Sequence, residues 1–487
     1  MNAALAASDN ADKFKAVHGQ LLAVIERDPS VAKPYSDLGE LLLQSGRVVE
    51  ALSVLEKATD LEPGLAAAHY HTARALTTLG AHSDAVFAYR RCLDVAPEHA
   101  AAWLGLGHAC NVLRQRQDSI AAYHRCLQLD PGHSDAYYSL SRLGSYRFSD
   151  SEIDEMGRQL QDDELPEASR VKLLFSLGRE FEARGRYRRA WRFYRQGNAA
   201  QRKRVNYDPV KTEAVADRLV NFFGGDYFSS IATGACPDRA PVFLVGIRRS
   251  GASLVEKIIA AHSHLESAGE LPHLAEIAGG LAEAADTNKP FPHGLADLDA
   301  RQRYDLGERY VQMARPYRRE ITPYFIDRAP GNFKLIGLIH SILPNAKIID
   351  VRRHPLDACV RNLTELFPRG QAFSYDQVEM GEYYLQYSRV MDHWNEVLPG
   401  KVLRVDFENL AQDLEAEVVR ILAYLDLPWE DSCMNFHESS LLMRAARNEG
   451  ADTGSAVGVG NWRRYRRGLI ALTEVLAPVM GGAAKTT

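Results

Sequence analysis

Prolines stand at Pro29, Pro63, Pro97 and Pro131, each 34 residues after the last. No other feature limits the fold of this chain so strongly, because the same step returns in other kinds of residue. Small residues recur at Gly39, Ala73, Gly107 and Ser141, and again at Ala51, Ala85 and Ser119. Large ones recur at Tyr35, His69, Trp103 and Tyr137, and at Leu55, Tyr89 and Tyr123. Proline ends a helix, small residues let two helices of a hairpin approach closely, and large ones fill the groove between hairpins. Several positions sharing one period predict a stack of helical hairpins that together bury a continuous core. Later, Gly178, Gly185, Ala190, Tyr194 and Gly197 keep the same internal spacing. Between the two stretches, "SYRFSDSEIDEMGRQLQDDELPE" reads as an irregular, acidic junction.

This pattern resembles the tetratricopeptide (TPR) repeat. The resemblance implies an α-solenoid over residues 1–205, with regular repeats over about 13–145 and a further unit over about 167–203. Such arrays present a concave groove to a protein or peptide and carry no chemistry themselves. The histidines here (His69, His71, His99, His124, His133) lack metal-ligand spacing and read as packing or surface residues. The basic run "RGRYRRAWRFYRQGNAAQRKR" spaces its aromatics as a helix does, so it reads as a core stripe with a solvated arginine face.

Composition narrows the function classes. The 487 residues suffice for two or more cores, and 46% hydrophobic with 25% charged residues is ordinary for a folded protein. A net charge of −5 offers no global basic field, so nucleic acid is not an expected partner. No apolar run approaches the roughly 20 residues that span a bilayer. The start, "MNAALAASDNADKFK", lacks a basic region followed by a long apolar one, and a cytoplasmic location is expected. The six cysteines form no CxxC pair and read as buried thiols, and no metal is expected.

From about residue 240 the pattern changes. "PVFLV" reads as a buried parallel strand and "LVEKIIAAH" as a helix, and between them lies the outline of a phosphate loop. Gly246 and Gly251 take the two glycine positions of G-x-x-x-x-G-K-[ST] and Ser253 the hydroxyl, but Ala252 replaces the lysine. Backbone N–H groups and the helix dipole suffice to cradle one phosphate, and Arg248 and Arg249 add guanidinium groups. Read bare, the segment has a lesser alternative, a tight turn with surface arginines. A second strand, "AKIIDV", delivers Arg352 and Arg353 to its carboxyl end, where ligands gather in open α/β sheets. Asp350 on that strand has the place of a Walker-B aspartate, which keeps a P-loop kinase in view despite the absent lysine.

The order of segments resembles sulfotransferases that use 3′-phosphoadenosine-5′-phosphosulfate (PAPS), in particular the bacterial TPR-linked branch related to tyrosylprotein sulfotransferases. "VGIRRSGASL" is similar to that family's strand-G-x-P-R-S-G-T-[TS]-L, "SAGELPHL" to its G-E pair, and "DVRRHPLDACVRNL" to V-R-[DN]-P-x-D-x-x-x-S. "YFIDRAPGNFKLIGLIHSILPNAKII", "VLRVDFENLAQDLEAEVVRILAYLDLPWED" and "VGVGNWRRY" match later segments, so the resemblance covers residues 241–467. It implies that Arg248, Arg249, Ser250, Gly251, Ala252 and Ser253 hold the 5′-phosphosulfate, and that Arg353 with Arg361 meets the 3′-phosphate. It implies further that Glu270 is the general base, that Arg249 and Arg328 stabilise charge on the transferring group, and that Trp462, Arg463 and Arg464 close over the nucleotide. Locally, Glu270 is also readable as a helix N-terminal carboxylate and Arg328 as a partner of Asp327. His262, His264, His340, His354 and His437 are alternative bases. The chain departs from the family at Arg248 for proline, Ala252 for threonine, Arg328 for lysine, Arg361 for serine and Phe407 for tyrosine.

The expected architecture is therefore α plus α/β. TPR repeats occupy 1–205, a linker 206–239, a three-layer sulfotransferase-like domain with a parallel sheet 240–475, and a flexible tail 476–487. The expected activity is PAPS-dependent sulfuryl transfer to a hydroxyl or amine of a protein, glycan or lipid-linked sugar acceptor recruited partly by the repeats. The alternative is a non-catalytic TPR scaffold carrying a degenerate nucleotide domain.

Overall fold

The structure, a computed structural model, describes residues 2–231, 234–284, 291–436 and 458–481. It divides into two compact units, Met1–Leu177 and Gly178–Thr487.

The first unit is an array of TPR-type hairpins. Ala32–Gln44 pairs with Val48–Leu61, Ala66–Thr78 with His82–Val95, and Ala100–Val112 with Arg116–Leu129, so each helix restarts 34 residues after its counterpart. Within a hairpin the small and large positions meet. A Cβ added to Gly39 or Gly107 would lie 2.5 Å from the Leu55 or Tyr123 side chain. Each turn closes through a left-handed residue, Gly46 and Gly80 at φ 79° and Arg114 at φ 64°. The next N–H then reaches back to the helix, as in Arg47→Leu42, Ala81→Leu76 and Gln115→Cys110, all at 2.9 Å. At the first recurring large position, Tyr137 is buried against Phe148 and Trp103 packs on the repeat core, as expected, and the position has a second use. Tyr35, His69 and Trp103 each meet the carbonyl of the repeat proline six residues earlier, with Trp103 Nε1 donating to Pro97 at 2.8 Å. Proline crowds and ends the preceding helix, leaving its own carbonyl in need of a donor, and this position supplies one. The acidic junction is not irregular either. Helix Asp150–Gln159 is held by a capping box in which Ser149 and Glu152 satisfy each other's backbone N–H groups.

The second unit begins inside helix Glu167–Ala183 and continues through helix Tyr187–Arg204. These two helices reuse the repeat's contact, since a Cβ on Gly178 would lie 2.6 Å from Tyr194. By spacing they read with the repeats up to residue 205; Lys172 pairs with Asp135 of the repeats, while later residues find partners in the α/β unit. Asn198 Nδ2 donates to Leu363 O at 2.8 Å, Arg202 grips Glu379 through two bonds of 2.7 Å, and Trp191 packs on Tyr465. The stretch expected to be a linker holds helices Pro209–Phe222 and Gly225–Ser230, because apolar residues such as Phe223, fully buried against Trp394, anchor it to the unit. Residues 476–480 of the expected tail belong to helix Ile470–Met480, and 482–487 lie outside the described residues.

Among the described residues five parallel strands form the sheet: β1 Pro241–Val245, β2 Leu265–Gly269, β3 Tyr324–Asp327, β4 Lys347–Arg352 and β5 Val402–Asp406, in the order β2-β3-β1-β4-β5. Side chains of β1 alternate between faces as a pleated strand requires. Val242 and Leu244 pack in one cluster with Val255, Ile258, Val418 and Ile421, from helices Ala252–Ile259 and Leu414–Tyr424. Phe243 packs instead against the tilted ring of Tyr310, from helix Ala300–Ala314. β1 leads away to β2 while its neighbour β4 leads the other way to β5, so their carboxyl ends flank a topological switch point. No helix among the described residues is long and apolar enough to cross a membrane.

Candidate active site

The loop after β1 is shaped by two glycines. Gly246 has φ 141°, and a Cβ there would lie 2.7 Å from Val351 O, so the loop leaves β1 pressed against the end of β4. Gly251, at φ 108°, starts helix Ala252–Ile259, and its Cβ would fall 2.2 Å from the Phe407 ring. Arg249 is left-handed at φ 69°. Ser250 is buried, and its Oγ has no hydrogen-bond partner among the described residues. Ala252 and Ser253 form the first turn of the helix, whose unpaired N–H groups face the loop.

Glu270 follows β2 and is positioned by the end of β3. Arg328 N donates to Gly269 O at 2.8 Å, and the fully buried Asp327 accepts from Leu271 N at 3.3 Å, Tyr310 Oη at 2.8 Å and Asn332 Nδ2 at 3.3 Å. Burial pushes the Asp327 carboxyl up to about 6. The Glu270 carboxylate receives two guanidiniums: Arg248 Nη2 at 2.9 Å and Arg328 Nη1 at 3.1 Å. Arg328 also donates to Glu256 at 2.6 Å, so its guanidinium bridges Glu256 and Glu270. The fold thus brings Arg248, Glu270 and Arg328 into one cluster beside the loop after β1.

Arg353, just past β4, is buried with its guanidinium 4.2 Å from the centre of the Phe407 ring. Phe407 is therefore clamped between Gly251 and Arg353 and joins the two halves of the crevice. Burial, with neighbouring Arg361 second, lowers Arg353 to about 10, so it stays cationic at neutral pH. Helix Pro355–Leu363 carries several of the remaining groups. Its buried Asp357 accepts from Gly460 N at 2.5 Å and Trp462 N at 2.9 Å, which fixes the late loop. A Cβ on Gly458 would lie 2.5 Å from Arg361 Nη2 and 3.1 Å from Arg353 Nη2, so the main chain of that loop lies on both arginines. Trp462 stacks on His354 at 5.7 Å and carries Arg463 on its ring at 5.1 Å. His354 Nδ1 and Trp462 Nε1 are buried without a hydrogen-bond partner among the described residues. Arg464 lies instead over Tyr187 at 5.0 Å, and buried Tyr465 roots the "RRYRR" run, which is thus not merely a solvated face.

The alternative bases separate by position. His262 and His264 lie beyond the far end of helix Ala252–Ile259 and His340 near the far end of helix Ile336–Ile342, at the sheet edge opposite the loop. An eight-residue helix puts them about 12 Å away along its axis. His340 is also pushed down to about 4 by burial. His354 alone of these lies at the loop's edge, and His437 falls outside the described residues. Asp350 is occupied: Tyr387 Oη donates to it at 2.5 Å and Arg352 Nε at 2.6 Å, which removes it from a Walker-B role.

Three residues enter the site unforeseen. Asn362, fully buried, donates from Nδ2 to Arg248 O at 2.8 Å and so tethers the loop to helix Pro355–Leu363. Asp357 was visible in the motif but its role was not, because its partners are 103 and 105 residues away. Glu365 accepts from Arg249 at 2.7 Å, and only its place shortly after Arg361 hinted at that.

Residues 241–431 match the sequence model of the Sulfotransferase family. An uncharacterized protein of Aquifex aeolicus (strain VF5) is 26% identical over 339 residues, covering 68% of this chain but only 44% of that protein. A Caenorhabditis briggsae protein named for protein-tyrosine sulfotransferase activity is 24% identical over 200 residues, covering 40% of this chain and 69% of its own length. Among solved structures, the sulfotransferase domain from the curacin biosynthetic pathway aligns over 50% of this chain and 98% of its own, at 12% identity and a TM-score of 0.33.

Proposed function

Because residues 241–431 are a sulfotransferase-family domain, we propose that this protein transfers a sulfuryl group from PAPS to a hydroxyl or amine of an acceptor recruited by the repeat array. The observation that carries the reading is the meeting, around the β1/β4 switch point, of a lysine-free phosphate loop, the Arg353–Arg361 pair and Glu270. PAPS supplies the activated sulfuryl group and a nucleotide phosphate as leaving group. Backbone N–H groups at 251–253, the Ser250 Oγ and Arg249 suit the 5′ end of such a donor, where fixed donors stabilise charge as the bond breaks. Arg353 and Arg361 suit its 3′-phosphate, and Trp462 and Arg463, held by Asp357, lie over the same region. Arg328, braced by Glu256, stabilises charge on the transferring group. Glu270 takes the acceptor proton, which requires its carboxylate to leave a guanidinium. Arg248, the more exposed of its two partners, is the one to yield.

Calorimetric titration with the product nucleotide PAP tests the donor site. Arg249→Ala and Arg353→Ala are each expected to weaken binding by about tenfold to a hundredfold, the worth of a charge-assisted contact. Glu270→Gln is expected to keep PAP affinity and lose about 10²–10⁴-fold in turnover of PAPS. Unchanged affinity in both arginine variants overturns the site. A second reading, a TPR scaffold with a degenerate nucleotide domain, draws support from the carboxylates already paired with the loop arginines, Glu270 with Arg248 and Glu365 with Arg249. No heat of PAP binding at millimolar ligand decides for it.

A further inference from the structure

We infer that Glu365 is a built-in counter-ion that competes with the anionic donor for Arg249, and that Arg179 from helix Glu167–Ala183 sets the strength of that competition. Glu365 Oε2 lies 2.7 Å from Arg249 Nη2 and also 2.7 Å from Arg179 Nη2, so one oxygen serves two guanidiniums. The carboxylate side chain is 10% exposed, which keeps its charge poorly screened. Its place is held by the backbone, with Glu365 N donating to Asn362 O at 3.2 Å, the same Asn362 that ties Arg248 O to this helix. Asn198, on the hairpin's second helix, bonds to Leu363 O two residues earlier. The hairpin of helices Glu167–Ala183 and Tyr187–Arg204 therefore grips the segment carrying Glu365 at two points, one of them charged.

The electrostatic consequence has a sign. A carboxylate beside Arg249 repels a phosphosulfate and occupies the guanidinium meant for it. Arg179 neutralises part of that charge and draws it toward the hairpin, which frees Arg249 for the donor. A merely structural Glu365 would make both Glu365→Gln and Arg179→Gln weaken donor binding. A counter-ion makes them act in opposite directions. This inference rests on the donor-site reading above.

The experiment is calorimetric titration of the full chain with PAP, in wild type, Glu365→Gln, Arg179→Gln, Arg179→Lys and the Glu365→Gln/Arg179→Gln double variant. Glu365→Gln is expected to tighten PAP by about threefold to fivefold and Arg179→Gln to weaken it by a similar factor, the scale of a single ion pair. Arg179→Lys, which keeps the charge, is expected to restore most of the affinity. In the Glu365→Gln background the Arg179 change is expected to shift affinity less than about twofold, the mark of coupling through that carboxylate. Weakened binding in Glu365→Gln, or an Arg179 effect that persists undiminished without Glu365, overturns the counter-ion role while leaving the donor site standing. No PAP binding by wild type overturns the donor-site reading and this inference together.

Discussion

At Asp327 three donors converge on a carboxyl that has no exposure to water. Its hydrogen bonds with Tyr310, Asn332 and Leu271 N oppose the burial penalty but do not cancel it, and the group rises from 3.8 to about 6. The folded chain therefore holds a proton that the unfolded chain has released between those values, so the Asp327 contribution to stability falls as pH rises from about 4 to about 6 and then levels. Asp327→Asn is expected to remove that limb, about 2–3 kcal/mol of the pH dependence, with equilibrium unfolding at pH 4, 5, 6 and 7 as the measurement. Identical profiles for the two proteins would refute it. Phe407 makes a related point about single residues. The family tyrosine is replaced here by a ring whose use is its face, pressed on Gly251 on one side and Arg353 on the other, and a hydroxyl is not needed for that clamp.

Among the elements, the repeat turns show how a period becomes a shape. Gly46 and Gly80 take the left-handed cap without strain, while Arg114, at the equivalent step, takes it with a Cβ. Arg114→Gly is expected to stabilise the array by about 0.5–1 kcal/mol, read as a raised urea midpoint of the helical transition. A lowered midpoint would mean that the contacts of the Arg114 side chain outweigh its backbone strain. Helix Pro355–Leu363 is the corresponding element of the α/β unit. It gathers Asp357 with the late loop, Asn362 with Arg248 and, just past its end, Glu365 with Arg249. Motif matching found its charged residues, whereas their assignment to partners far along the chain needed the packed helix.

For the whole molecule, the division at Leu177/Gly178 falls inside helix Glu167–Ala183 and places the remainder of the last hairpin with the α/β unit. A fragment starting at Glu167 keeps Arg179–Glu365, Asn198–Leu363, Arg202–Glu379 and Trp191–Tyr465, and one starting at residue 206 loses all four. The shorter fragment is expected to melt several degrees lower, since the lost contacts leave Trp191's apolar partner Tyr465 and the Glu379 carboxylate without cover, and to bind PAP more weakly. Equal melting temperatures would return the hairpin to the repeats.

What sequence alone determined about this protein is what repeats or lies close along the chain. The 34-residue step names the hairpins, the β1 run with its two glycines names the strand–loop–helix unit proposed to hold phosphate, and the ends of β1, β2 and β4 locate Arg249, Glu270 and Arg353. These are local consequences of helix period, strand alternation and backbone freedom at glycine. Tertiary structure decided the rest. It set the pairing of Glu270 with Arg248 and Arg328, the occupation of Asp350 by Tyr387 and Arg352, the placing of three candidate histidines at the wrong edge, and the alliance of the last hairpin with the α/β unit. Charge pairing depends on which side chains packing brings within about 3 Å. A linear pattern supplies the charges, and only the folded sheet and helices bring them to that distance.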